Sequence, residues 1–100
     1  MIGHISPRSI MNDWSMRFNA LADRYSYTIR GHFYGHMHSD HISFFPEIKS
    51  ISNFNDAPLT NYYLAAPSLT TASDRVPEYR VMYVDFDTLQ VTDYVQYMYL

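Results

Sequence analysis

Apolar positions recur at helical spacing in one stretch of the chain. Trp14, Phe18, Leu21 and Tyr25 follow at steps of four, three and four, which predicts an amphipathic helix over roughly Asp13 to Tyr25. Met11 and Ala22 widen the stripe, and Trp14 is expected in the core. Asn12 or Asp13 stands where a side chain caps the first turn, and Arg24 stands near the carbonyl end. Elsewhere the pattern is strand-like. Met1 to Ile5 reads as the end of an apolar strand closing in Gly3-His4, followed by a loop at Ser6-Pro7-Arg8-Ser9. Thr28 to Tyr34 predicts a strand that stops at Gly35, and His36 to Asp40 predicts a loop. His41 to Phe45 predicts a second strand ending at Pro46, and residues 46–60 form a polar connection. Asn61 to Ala66 predicts a buried strand ending at Pro67, and Ser68 to Glu78 another loop. Tyr79 to Asp85 and Val91 to Tyr99 alternate about a turn at Asp87-Thr88, the pattern of a terminal β-hairpin. The expected class is mixed α/β (α+β): a strand stub, one helix, then about five strands.

Composition narrows the function classes. The chain has 100 residues, 47% hydrophobic and 17% charged, which is too apolar for a disordered segment. A net charge of -3 gives no clustered basic face, so no nucleic-acid polymer is expected as a partner. No apolar run approaches the ~20 residues of a membrane helix, and the opening MIGHISPRS does not read as a signal peptide. Cysteine is absent, which removes disulfides and thiolate metal sites. Imidazoles are then the candidate soft ligands, and four of the five His fall between residues 32 and 41.

The sharpest motif is Gly35-His36-Met37-His38. His residues two apart cannot share a helix face, but at the end of a strand they point the same way. The preceding Gly allows close approach of backbone to an ion, and neutral imidazole suits zinc, iron and manganese. Gly3-His4 repeats the arrangement at the end of the first strand. A helix between the two makes a strand–helix–strand crossover, which places parallel strands side by side with their carboxyl ends on one edge. Ligands of open α/β sheets bind at that edge. Asp40 and His41 are candidates to orient a ligand imidazole by hydrogen bonding. His32 is expected to be structural or at the surface, Thr70 and Thr71 to form an ST-turn, and Arg30 and Arg80 to be solvated strand residues.

The segments Ile2-Gly3-His4-Ile5-Ser6-Pro7, Phe33-Tyr34-Gly35-His36-Met37-His38-Ser39-Asp40 and Leu64-Ala65-Ala66-Pro67-Ser68-Leu69-Thr70-Thr71 resemble the carboxyl-terminal third of acid sphingomyelinase-like phosphodiesterases. These belong to the calcineurin-like metallophosphoesterases. Pro77-Glu78-Tyr79-Arg80-Val81 and the strand reaching Asp85 resemble that family's final strands. The resemblance runs from Ile2 to about Tyr97. It implies a β-sandwich flanked by helices with two zinc ions at strand ends. His4 and His36 resemble ligands of one ion, and His38 a ligand of the other. Two metals so placed polarise a phosphoryl oxygen and activate water for in-line attack.

The family's amino-terminal motifs, Asp-x-His, a bridging Asp after Gly, and Asn-His, have no counterpart here. Three His over two ions fall short of the ~3 protein ligands of a catalytic zinc. Residues 1–100 are therefore expected to be a single partial domain, inactive alone, with the metal ligands as its sole catalytic contribution. The missing amino-terminal part of the same domain would be its partner. The resemblance implies a secreted or lysosomal parent hydrolysing a phosphodiester such as that of sphingomyelin. The alternatives are a nucleotide phosphodiesterase or pyrophosphatase of the same superfamily, or a non-catalytic degenerate chain. Val76-Pro77-Glu78 stands where the family commonly has Asn-Pro-Gly.

Overall fold

The computed structural model describes residues 1–48 and 56–100. Within them lie one helix, α1 (Asn12–Arg24), and five strands: β1 (His32–Tyr34), β2 (His41–Pro46), β3 (Leu59–Ala65), β4 (Glu78–Val84) and β5 (Val91–Met98). A 3-10 turn at Pro7–Ser9 precedes the helix. Of the connection expected over 46–60, residues 49–55 lie outside the described residues.

Two small sheets form. In the first, β3 is central, with β1 parallel on one side and β2 antiparallel on the other. The expected strand stub is a parallel bridge from Ile2 to Phe33, held by Gly3 N–H to the Phe33 carbonyl and Phe33 N–H to the Met1 carbonyl, both 3.0 Å. The crossover rule therefore holds: Ile2 and β1 run parallel, joined through α1. Gly3 is required there, because a Cβ would come 2.8 Å from Cε1 of Tyr34. The second sheet is the antiparallel β4–β5 hairpin. Asp85 closes its turn by accepting from the Asp87 and Thr88 amides and the Thr88 hydroxyl.

The first sheet has two apolar faces. One presents His32, Tyr34, Tyr63, Ala65 and Phe45, all buried, against Ala22 and Phe18 of α1. The other presents Ile42, Phe44, Tyr62 and Leu64 to residues 91–94 of β5 across a cleft of about 270 Å³. The layers are thus helix, sheet, hairpin.

The helix differs from expectation. Trp14 is 58% exposed, and Leu21 and Tyr25 are also exposed. Of the predicted stripe, Phe18 and Ala22 pack against the sheet, Phe18 meeting the His32 and Phe45 rings at 6.0 and 6.2 Å. The small Ala22 lets the helix lie close to the aromatic face. The large apolar residues lie around the side, where Arg17 stacks 5.6 Å over Trp14 and Arg24 5.5 Å over Tyr25. Neither Asn12 nor Asp13 caps the helix; Met11 holds the cap position with no side-chain bond. β1 is also shorter than the predicted Thr28–Tyr34, because residues 25–28 turn, with Thr28 and Ile29 both donating to the Tyr25 carbonyl.

Candidate metal centre

The carboxyl ends of Ile2, β1 and β3 lie on one edge, since all three run parallel. His4 leaves the first of them and His36 the second. Gly35 N–H donates to the His4 carbonyl at 3.0 Å, and Ala66 N–H to the Tyr34 carbonyl at 2.8 Å, so the three strand ends are laced together. Nδ1 of His36 and Nε2 of His4 stand 3.3 Å apart, with ring centroids at 5.1 Å and planes at 80°. One ring N–H donates to the other ring's lone pair; the tautomers decide which. Two residues 32 apart in sequence are thereby joined at the surface, with both side chains open to solvent.

That separation has a second meaning. Zinc–imidazole bonds of about 2.0–2.1 Å in tetrahedral geometry require ligand nitrogens roughly 3.3–3.4 Å apart. The His4–His36 separation falls in this range.

His36 to Asp40 forms the predicted loop, but it does not carry His36 and His38 to one point as a strand end would. His36 and His38 both have positive φ, 73° and 53°, whereas no glycine does. Met37 N–H donates to the Gly35 carbonyl at 2.9 Å, so His36 sits at the centre of a three-residue turn. With φ near +75° this is the rare, strained form of the γ-turn. Such conformations persist where surroundings over-determine them. The strain thus falls on the histidines, while Gly35 keeps a negative φ and lies against the His4 ring. His38 is half-buried and does not join the His4–His36 pair: among the described residues, no three His, Cys, Asp or Glu side chains converge as a metal site.

The remaining candidates find other partners. Asp40 forms an ion pair with Arg80 of β4. His41, first residue of β2, accepts at Nε2 from Arg8 at 3.4 Å and lies 5.8 Å from the Tyr63 ring. His32 is fully buried among Phe45, Phe18 and Tyr34, with neither ring nitrogen hydrogen-bonded. Burial lowers its pKa below 6.5, the amino-terminal charge adding to the effect. Thr70 forms the expected ST-turns, with Ser68 Oγ accepting from its amide and its own hydroxyl accepting from Ala72.

Arg80 was expected in solvent, and the structure corrects this. Its side chain is 1% exposed, stacked 4.2 Å over Tyr94 and bonded to Asp40 and to Oε1 of Gln96. Gln96 in turn donates to Glu78. Sequence pattern missed this residue because its carboxylate partner lies 40 positions away. The one local signal is that Arg80 interrupts an otherwise apolar strand.

No protein-family profile matches the chain. Curated proteins do. A sphingomyelin phosphodiesterase of Bos taurus is 36% identical over 85 residues, covering 85% of this chain. Sphingomyelin phosphodiesterase A of Dictyostelium discoideum is 33% identical over 100 residues and 97% of the chain. Sphingomyelin phosphodiesterase 1 of Caenorhabditis elegans is 29% identical over the same share. The chain spans 13%, 16% and 17% of the length of these relatives. Over most of its length, the chain is acid sphingomyelinase-like in sequence.

Proposed function

We propose that this chain supplies part of a two-metal centre to a calcineurin-like phosphodiester hydrolase acting on sphingomyelin or a related phosphodiester. In this reading the rest of the site comes from an amino-terminal part of the same domain. His4 and His36 would hold one zinc ion and His38 the other. The observation that carries the reading is the 3.3 Å approach of two ring nitrogens from neighbouring parallel strand ends. The similarity to sphingomyelin phosphodiesterases over 85 to 97% of the chain supports the substrate class. When bound, the metals supply Lewis-acid polarisation of a phosphoryl oxygen and activation of water. The chain's own residues set where that charge stands: Gly35 and the strand-end hydrogen bonds fix the His4 backbone beside His36. With so few ligands the 100-residue chain is inactive by itself. A secreted or lysosomal setting for the parent follows from the same resemblance.

The test has two parts. Zinc chloride titrated into the purified chain is expected to bind at one weak site that His4→Ala and His36→Ala each remove; binding unchanged in both variants would overturn the ligand assignment. In a longer parent protein, His36→Ala or His38→Ala is expected to abolish hydrolysis of sphingomyelin while the far-ultraviolet spectrum stays native. Cleavage of nucleotide phosphodiesters with sphingomyelin untouched would reassign the substrate. Upstream coding sequence without Asp-x-His and Asn-His motifs would favour a degenerate chain.

A further inference from the structure

The loop from Gly35 to Asp40 carries two residues in left-handed conformation, and its shape is costly to hold. At its start the Gly35 amide is tied to His4. At its end the tie is Asp40, whose partner belongs to the other sheet. Arg80 is suited to act as a fixed post. Its guanidinium is packed over Tyr94, its Nε and Nη2 are engaged by Gln96, and Gln96 is held by Glu78. The asymmetry of exposure, 1% for Arg80 against 43% for Asp40, means that the arginine is the immobile member and the loop is the part being held. A planar fork restrained on several sides loses little further freedom on binding a carboxylate, which a lysine ammonium cannot match.

We propose that Arg80 is a positioning residue for the His4–His36 pair: through Asp40 it clamps the loop that presents His36. The proposal rests on the reading of that pair as metal ligands. The hairpin β4–β5 then has a part in the metal centre through the Arg80–Asp40 ion pair. Supporting groups of this kind must hold ligands to within about 0.5 Å of productive geometry. Loss of outer partners of metal ligands typically costs about 10- to 100-fold in affinity.

The experiment measures zinc chloride affinity of the chain by competition with a chromophoric chelator, beside urea unfolding and the nuclear Overhauser contact between the His4 and His36 rings without metal. Asp40→Asn and Arg80→Lys are expected to weaken zinc roughly tenfold or more and to lose the ring contact. Asp85→Ala, which loosens the hairpin turn far from the clamp, is expected to lower stability and leave zinc affinity unchanged. His36→Ala is expected to lose the site. Zinc affinity equal to the parent chain in both clamp variants, with His36→Ala still abolishing it, overturns the clamp alone. An Asp85→Ala chain as weak for zinc as Asp40→Asn also overturns it, because the effect would then be general instability. Unchanged zinc affinity in His36→Ala overturns the ligand reading and the clamp with it.

Discussion

At the scale of single residues, His32 makes the clearest claim on solution behaviour. It fills the centre of the aromatic face, 0% exposed, with both ring nitrogens unpartnered among the described residues. An imidazolium there would be a charge without hydration, so folding favours the neutral ring and its pKa falls, first by desolvation. The unfolded chain binds the proton more readily, near the ordinary 6.5. Stability from this residue is therefore complete above that pH and is lost as pH falls below it toward the depressed folded value. One proton limits the slope to about 1.4 kcal/mol per pH unit. Urea unfolding of the parent chain and of His32→Phe, compared between pH 7.5 and 5, is expected to show a fall in the parent that the variant lacks. Equal pH dependence in both would refute the account. Sequence pattern could place His32 on a strand beside Tyr34, but not inside a cage assembled from α1 and β2. The same limit applies to Arg80, whose burial depends on an acid 40 residues away.

Elements show where local rules and tertiary demands part. The crossover from Ile2 through α1 to β1 was legible, because a helix between two short apolar strands leaves few alternatives. That rule brought His4 and His36 to one edge. The inward face of α1 was legible in part: Phe18 and Ala22 of the predicted stripe pack on the sheet, while Trp14, Leu21 and Tyr25 stay exposed, because periodicity reveals amphipathicity but not how wide a face the sheet covers. The helix start was not legible, since Asn12 entered the first turn and left Met11 at the cap. Met11 has extended backbone, φ -57° and ψ 142°, its carbonyl accepts from Ser15, and its side chain is exposed. Met11→Ser is therefore expected to stabilise the chain by about 1 kcal/mol, because the hydroxyl takes an otherwise unpaired amide of the first turn. Thermal or urea unfolding measures it, and no gain would mean that the first turn frays. The hairpin offers a second test. Hydrogen bonds from the Thr88 amide and hydroxyl hold the Asp85 carboxyl below its ordinary 3.8. Its contribution is present above that pH and fades as pH falls through the depressed value. Asp85→Ala is expected to speed amide exchange in β4 and β5 while β1 and β3 keep their protection.

Over the whole molecule, exposed surface is the governing quantity. A folded monomer of 11.8 kDa exposes about 5,900 Å², whereas this chain exposes 7382 Å². Its radius of gyration is 14.8 Å against about 13 Å for a compact 100-residue domain. Many large apolar side chains are among the exposed residues. On one face of the hairpin Tyr79, Val81, Tyr83, Val95 and Tyr97 are all exposed, with Tyr79 and Tyr97 stacked 4.9 Å apart. Trp14, Leu21 and Tyr25 add a second patch on α1. Contiguous apolar surface of this extent drives association in water, and the unpaired edges of a two-stranded sheet supply templates for it. The chain in isolation is accordingly expected to bind a hydrophobic dye and to sediment as oligomers whose size grows with concentration. Val81→Lys with Val95→Glu places a cross-strand ion pair at directly opposed positions on that face. The pair of substitutions is expected to raise the monomer fraction and reduce dye binding, with the far-ultraviolet spectrum unchanged because neither side chain is buried. Under the proposed ligand reading, zinc affinity of the His4–His36 pair should be untouched, since the Asp40–Arg80 ion pair lies on the opposite face of the hairpin. Sedimentation velocity with dye fluorescence decides the matter: a parent chain that stays monomeric and dark at high concentration would show that its exposed apolar face is not sticky.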